Sequence, residues 1–225
     1  MGSKNKLKRF KENETFKNVI QPTRDEVVNN FSQKGKWHLF FGNNNPIIVE
    51  LGCGKGEYTV ALAKNNPDKN YIGIDIKGAR FWRGAKTALE ENLNNVAFVR
   101  TQIELVDFIF GANEISEIWI TFPDPQIKYQ RTKHRMTNTS FLKKYKTILK
   151  EDGLINLKTD SEFMHGYTLG LLHGEGHEVL YANHNVYKNT GAPKEVTEVQ
   201  TFYENQYLSV GKPITYIKFR LKNDY

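Results

Sequence analysis

The stretch Ile47-Ile48-Val49-Glu50-Leu51-Gly52-Cys53-Gly54-Lys55-Gly56 constrains this chain more than any other. Its short apolar run predicts a buried strand, and the glycines at every second position predict a tight loop. Glycine lets the backbone turn sharply and approach a ligand with no Cβ in the way. The run Tyr58–Ala63 then predicts a helix that stops near Asn65-Asn66-Pro67. A strand, a glycine loop and a helix in that order make a nucleotide-type pocket at the carboxyl end of a parallel sheet.

The remainder repeats the alternation. Strands are expected at Tyr71–Asp75, Val96–Arg100, Ile115–Thr121, Gly153–Lys158, Glu178–Ala182 and Ile214–Leu221, and helices at Lys77–Asn92, Glu104–Phe110, Asn138–Leu149 and Ser161–Leu172. That pattern predicts an α/β fold, a doubly wound and mostly parallel seven-stranded sheet with an antiparallel edge strand. The stretch 183–213 shows no convincing helix. Residues 1–22 are polar, basic and weakly periodic, which predicts a flexible N-terminal arm ahead of one domain spanning 23–225.

Charge points to the partner. The net charge is +7, and it is clustered: Lys4–Arg24 holds seven Lys/Arg against two acids, and Lys128–Lys150 holds eight with no acid. Such clustering suits a polyanion, above all a nucleic acid. No apolar run is long enough to cross a membrane, so no membrane partner is expected. Cys53 is the only cysteine, which rules out an intrachain disulfide and makes a reducing, cytoplasmic setting the simplest one. It reads as a small loop residue rather than a nucleophile. His173 and His177 have no third ligand nearby in sequence, so no metal site is expected.

The glycine loop also selects a cofactor. Glu50-x-Gly52-x-Gly54-x-Gly56 departs from the dinucleotide fingerprint, whose third glycine comes one place later. An acid two residues before the first glycine repels a pyrophosphate and attracts an ammonium. S-adenosylmethionine has an ammonium, a sulfonium and no phosphate. The charge logic therefore favours it over NAD, and an NAD-dependent oxidoreductase would also need a separate substrate domain. Asp75 ends the second strand 25 residues after Glu50, where a carboxylate can accept both ribose hydroxyls. Together these features resemble the cofactor half of the Rossmann-like class I S-adenosylmethionine-dependent methyltransferases.

The fourth strand delivers Phe122-Pro123-Asp124-Pro125, a carboxylate stiffened on both sides by proline. With Gly73-Ile74-Asp75, the basic run Lys128–Thr137, Lys158-Thr159-Asp160 and Thr201-x-x-Glu204, it resembles the bacterial tRNA (guanine-N7-)-methyltransferase family over about residues 35–221. The resemblance implies that Glu50, Asp75 and Asp124 lie against S-adenosylmethionine, with Asp124 at the reaction centre. Gln102 stands where the family commonly has a cofactor-contacting aspartate after the third strand, and the resemblance implies that its amide hydrogen-bonds the adenine edge. Lys128, Asp160 and the stretch from Thr201 to Glu204 fall at substrate-contacting positions. Gln126 replaces a tryptophan, and Arg131 replaces a histidine. Lys128, Arg131, Lys133 and Arg135 would hold phosphates, while Tyr203 and Tyr207 are expected to pack in the core, with stacking of a base as the alternative. The implied activity is methyl transfer to N7 of a guanosine in the tRNA variable region, usually position 46. The implied partner is tRNA alone, to a monomer or homodimer without an obligate protein partner. A catalytically silent RNA-binding module is the alternative, and the intact acids Glu50, Asp75 and Asp124 argue against it.

Overall fold

A computed structural model describes residues 2–225 of the chain. In chain order the elements are α1 (Gly2–Asn13), β1 (Val19–Ile20), α2 (Arg24–Asn30), α3 (Trp37–Phe41), β2 (Ile47–Leu51), α4 (Glu57–Asn65), β3 (Asn70–Ile74), α5 (Gly78–Glu90), β4 (Val96–Val99), α6 (Val106–Ile109), β5 (Ile115–Thr121), α7 (Thr139–Ile148), β6 (Leu149–Thr159), α8 (Glu162–Glu175), β7 (Glu178–Asn183), α9 (Lys194–Thr197), α10 (Phe202–Ser209) and β8 (Thr215–Arg220). Short 3₁₀ turns follow β4 and β5, at Ile103–Leu105 and Tyr129–His134.

The strands form one sheet in the order β1-β4-β3-β2-β5-β6-β8-β7. Pairing is parallel from β1 to β6, and β8 runs antiparallel to both β6 and β7. The chain leaves β2 toward β3 on one side and β5 lies on the other. That reversal opens a crevice above the carboxyl ends of β2, β3 and β5, where α/β sheets bind ligands. Both faces are covered. Along β2, Ile47, Val49 and Leu51 pack into one core layer and Ile48 into the other. β5 does the same with Ile118 and Ile120 against Trp119. A strand buried on both faces reads as a continuous apolar run, which is how β2 and β5 read in the sequence.

The N-terminus departs from expectation. Residues 2–20 are built into the fold, and β1 adds an eighth strand to the seven expected. Helix α1 lies along α5: the Asn13 amide donates to the Gly78 carbonyl at 3.0 Å and the Trp82 indole donates to Glu12 at 2.9 Å. Strand β1 pairs with β4 in the register Val19↔Phe98. The Asn18 amide beside it is buried and donates to the Ala85 carbonyl at 3.0 Å. Buried amides do the anchoring here, and in a sequence an asparagine reads as a loop residue. A two-residue strand leaves no periodicity to find.

A second departure lies between β7 and β8, where α10 stands in the stretch that shows no helical pattern. Its signal is local. Thr201 accepts from the Glu204 N–H at 3.2 Å and Glu204 accepts in return from the Thr201 N–H, which is a capping box.

Candidate active site

The crevice is lined by Glu50, Gly52, Cys53, Gly54, Lys55, Glu57, Asp75, Arg80, Thr121, Phe122, Thr201 and Tyr203. Its floor is the glycine loop. Gly52, Gly54 and Gly56 all have positive φ, at 76°, 56° and 74°. Two of them have an evident reason. Gly54 turns its N–H onto the Asp75 carboxylate at 3.0 Å. A Cβ on Gly56 would meet the Phe98 ring at 2.6 Å, well inside contact distance.

Glu50 is almost completely buried. One carboxylate oxygen accepts from the Thr59 N–H at 2.9 Å and from the Thr59 hydroxyl. The other accepts from the Thr121 hydroxyl at 2.5 Å. Burial pushes the Glu50 carboxyl up to about 7, against the pull of those hydrogen bonds, and the nearby Asp75 charge adds to the rise. Asp75 accepts the Gly54 N–H on one oxygen and the Lys77 N–H, at 2.8 Å, on the other. Each oxygen keeps one further acceptor position, enough for a pair of ligand hydroxyls. Neither carboxylate has a basic side chain bonded to it. The two carboxylates can therefore face a cation or hydroxyl donors, while Lys55 and Arg80 stand elsewhere in the same lining.

Thr59, Thr121, Glu57 and Arg80 also belong to this site, and none of them stands in a motif that the sequence reveals. Thr59 lies in the first turn of α4, and Thr121 is the last residue of β5. The β2–β5 register brings Thr121 beside Glu50, and the turn of the glycine loop into α4 brings Thr59 there. Arg80 follows Asp75 on the first turn of α5, and Glu57 opens α4.

Beyond Thr121 the backbone turns sharply. Phe122 and Gln126 both have φ of 48°, an uncommon conformation for residues with a side chain. Asp124 stands between them, exposed, with one oxygen accepting the Gln126 N–H at 3.1 Å. It lies two residues past Phe122, outside the residues that line the crevice. The 3₁₀ turn that follows leaves Lys128, Arg131 and Lys133 exposed at the same edge of the sheet.

Arg135 differs from the expectation of a phosphate contact. It is only 6% exposed. Its guanidinium donates to the carbonyls of Gln126 and Ile127, both at 3.1 Å, and stacks over Phe163 and Tyr167. A planar fork with five donors is suited to bracing a loop in this way. Glu204 likewise does not face a substrate. It is fully buried, bonded to Lys158, to the Tyr187 hydroxyl at 2.6 Å and to its own helix cap. Thr201 does line the pocket. Asp160 is paired with Lys212 at 3.0 Å. Gln102 is exposed, outside the pocket lining, with its amide oxygen taken by Arg24 at 2.7 Å. Tyr203 is exposed rather than packed in the core, whereas Tyr207 packs against Phe122 at 5.8 Å between ring centroids.

Known proteins extend this picture. Residues 44–217 match the profile of a family described as "Putative methyltransferase". The tRNA (guanine-N(7)-)-methyltransferase of Christiangramia forsetii is 74% identical over 99% of this chain and 100% of its own. The enzyme of that name from Bacteroides thetaiotaomicron is 45% identical over 98% of this chain and 87% of its own. Solved structures agree on the fold. A 16S rRNA methyltransferase, KamB, superimposes with a TM-score of 0.60 at 11% identity, covering 79% of this chain and 88% of its own. A SAM-dependent methyltransferase from Aquifex aeolicus gives 0.54 at 13% identity, covering 96% and 98%. A strand-ending acid over a glycine loop, a second acid on the next strand and a full-length identity of this size lead to one assignment: the chain belongs to the tRNA (guanine-N(7)-)-methyltransferase family.

Proposed function

We propose that the protein transfers the methyl group of S-adenosylmethionine to N7 of a guanosine in the tRNA variable region, usually position 46. What supports this most is the meeting, in a member of this family, of a glycine-loop pocket holding the carboxylates Glu50 and Asp75 with an exposed cationic loop at one edge of the sheet. S-adenosylmethionine supplies an electrophilic methyl group on a sulfonium. Glu50 and the backbone of Gly52–Gly54 would hold its amino-acid end, and Asp75 its ribose hydroxyls.

Guanine N7 has a lone pair and no proton, so its attack requires no general base. The protein's task is to hold N7 in line with the methyl group, and positioning of that kind can supply most of the rate. Asp124 is the residue for the base. Its second oxygen is free, and a carboxylate accepts both N1–H and N2–H₂ of guanine, a pattern adenine lacks. Asp160, already paired with Lys212, is less available. Lys128, Arg131 and Lys133 would take phosphates flanking the extruded nucleotide. Incubation of unmodified tRNA with the protein and methyl-labelled S-adenosylmethionine should place label in the RNA, and Asp75→Ala should abolish it. No label from the wild-type protein would defeat the proposal.

A further inference from the structure

We infer that Tyr203 is the stacking platform for the guanine that receives the methyl group, an inference that rests on the tRNA reading above. Helix α10 starts at the mouth of the crevice, and its first turn is fixed from beneath. Thr201 and Glu204 cap it, and Glu204 is locked to Lys158 inside the protein. The Phe202 N–H donates to Glu57 at 3.0 Å, which ties the same turn to the start of α4 beside the glycine loop. On this fixed turn two large aromatic side chains stay exposed, Phe202 at 50% and Tyr203 at 46%. Trp37, Tyr58 and Phe98 are buried, while the other exposed rings, Tyr129 and Phe163, lie outside the lining of the crevice.

The two rings differ in what surrounds them. The Lys55 amine lies 4.0 Å from the Phe202 centroid and 5.8 Å from that of Tyr203, and the two rings meet edge-on, with centroids 5.7 Å apart at 76°. Phe202 is thus a prop. Tyr203 lines the pocket together with Glu50, Gly54, Asp75 and Phe122. A rigid ring, half exposed over a binding pocket, suits a flat apolar ligand face. A base drawn out of its stack has lost such a surface and regains it on an aromatic side chain. With the base lying on Tyr203, its N7 edge remains in the ring plane and open to the methyl donor, and its opposite edge remains open to Asp124. Stacking accepts any base, so the ring contributes affinity and orientation while the carboxylate discriminates.

The test compares Tyr203→Ala, Tyr203→Leu and Tyr203→Phe in the full-length protein, measuring kcat/KM for unmodified tRNA, S-adenosylmethionine affinity by calorimetry and the thermal midpoint. Loss of the ring should lower kcat/KM for tRNA by about 10- to 100-fold, as removal of base stacking does. The alanine and leucine variants should both show this with a much smaller change in cofactor affinity and an unchanged midpoint, and the phenylalanine variant should keep most of the activity. The inference is overturned if the alanine variant stays within about twofold of wild type, if phenylalanine is as damaging as alanine, or if cofactor affinity falls in step with activity. A wild-type protein that methylates no tRNA overturns the tRNA reading itself, and this inference with it.

Discussion

The Lys158 amine lies 2.7 Å from one oxygen of Glu204 and 2.8 Å from the other, and neither side chain reaches solvent. Lys158 also donates to the Val199 carbonyl at 3.1 Å, and Glu204 accepts from the Tyr187 hydroxyl. Burial pulls the Lys158 amine below its usual range, and the Glu204 charge opposes that fall. The pair pins β6 to the segment that ends at the pocket mouth. Removing Glu204 alone strands a buried cation, so Glu204→Ala should destabilise the protein by about 3–5 kcal/mol. The double variant Lys158→Met/Glu204→Leu should recover much of that loss. Denaturant unfolding measures both, and a single variant within about 0.5 kcal/mol of wild type would remove the pair from this role.

Cofactor binding should depend on pH through Glu50. Its carboxyl, raised to about 7 by burial, is largely protonated in the free protein at lower pH. A cationic amino group favours the carboxylate, so binding must release that proton. Affinity for S-adenosylmethionine should therefore fall by up to about tenfold per pH unit below 7 and level off above it. Glu50→Gln should bind weakly and show no such slope. In the free protein the sign reverses. The folded state binds this proton more tightly than the unfolded state, so the associated stability is present at acidic pH and is lost as pH rises from about 4.5 toward 7. Calorimetry across pH 5.5 to 8.5 distinguishes the wild-type and Gln profiles.

The cations after β5 should separate into two kinds. Lys128→Ala with Arg131→Ala should weaken tRNA binding and lower the salt slope by about 1.4–1.8, with no change in thermal midpoint. Arg135→Ala should lower the midpoint by freeing the Gln126 and Ile127 carbonyls, at a cost of about 1–3 kcal/mol. Filter binding at several salt concentrations, beside thermal unfolding, reads both. The same salt slope in the double variant as in wild type would take this turn out of the RNA contact.

The N-terminal segment should behave as part of the domain. Asn18→Ala leaves the Ala85 carbonyl without its buried donor and should cost about 1–3 kcal/mol. Deletion of residues 2–20 should cost more, because it also exposes the β4 edge. A truncated protein with wild-type stability would show that the segment adds nothing to the fold.

What the sequence disclosed follows from how each feature is held together. Strands β2 to β5 were legible because burial on both faces leaves uninterrupted apolar runs, and Glu50 and Asp75 because they end such strands. Helix α1 and strand β1 were not, since Asn13, Asn18 and Glu12 fix them through isolated side-chain bonds to Gly78, Ala85, Trp82 and Lys86 that leave no pattern. Arg135 and Glu204 were read as polar contacts because a charged residue in a surface-like segment gives no sign that it is buried. Only the fold reveals that Phe163, Tyr167 and Lys158 surround them. For Tyr203 an aromatic in sequence fits either a core or a stacking surface, and only the fold shows that it stands exposed at the crevice.

Nucleoside mass spectrometry of an unmodified tRNA after incubation with the protein and S-adenosylmethionine tests the central claim most directly. The account predicts 7-methylguanosine as the one new nucleoside, mapped to the variable region, and its disappearance with Asp124→Ala at nearly unchanged tRNA affinity. A different methylated base, or no methylation at all, would contradict it.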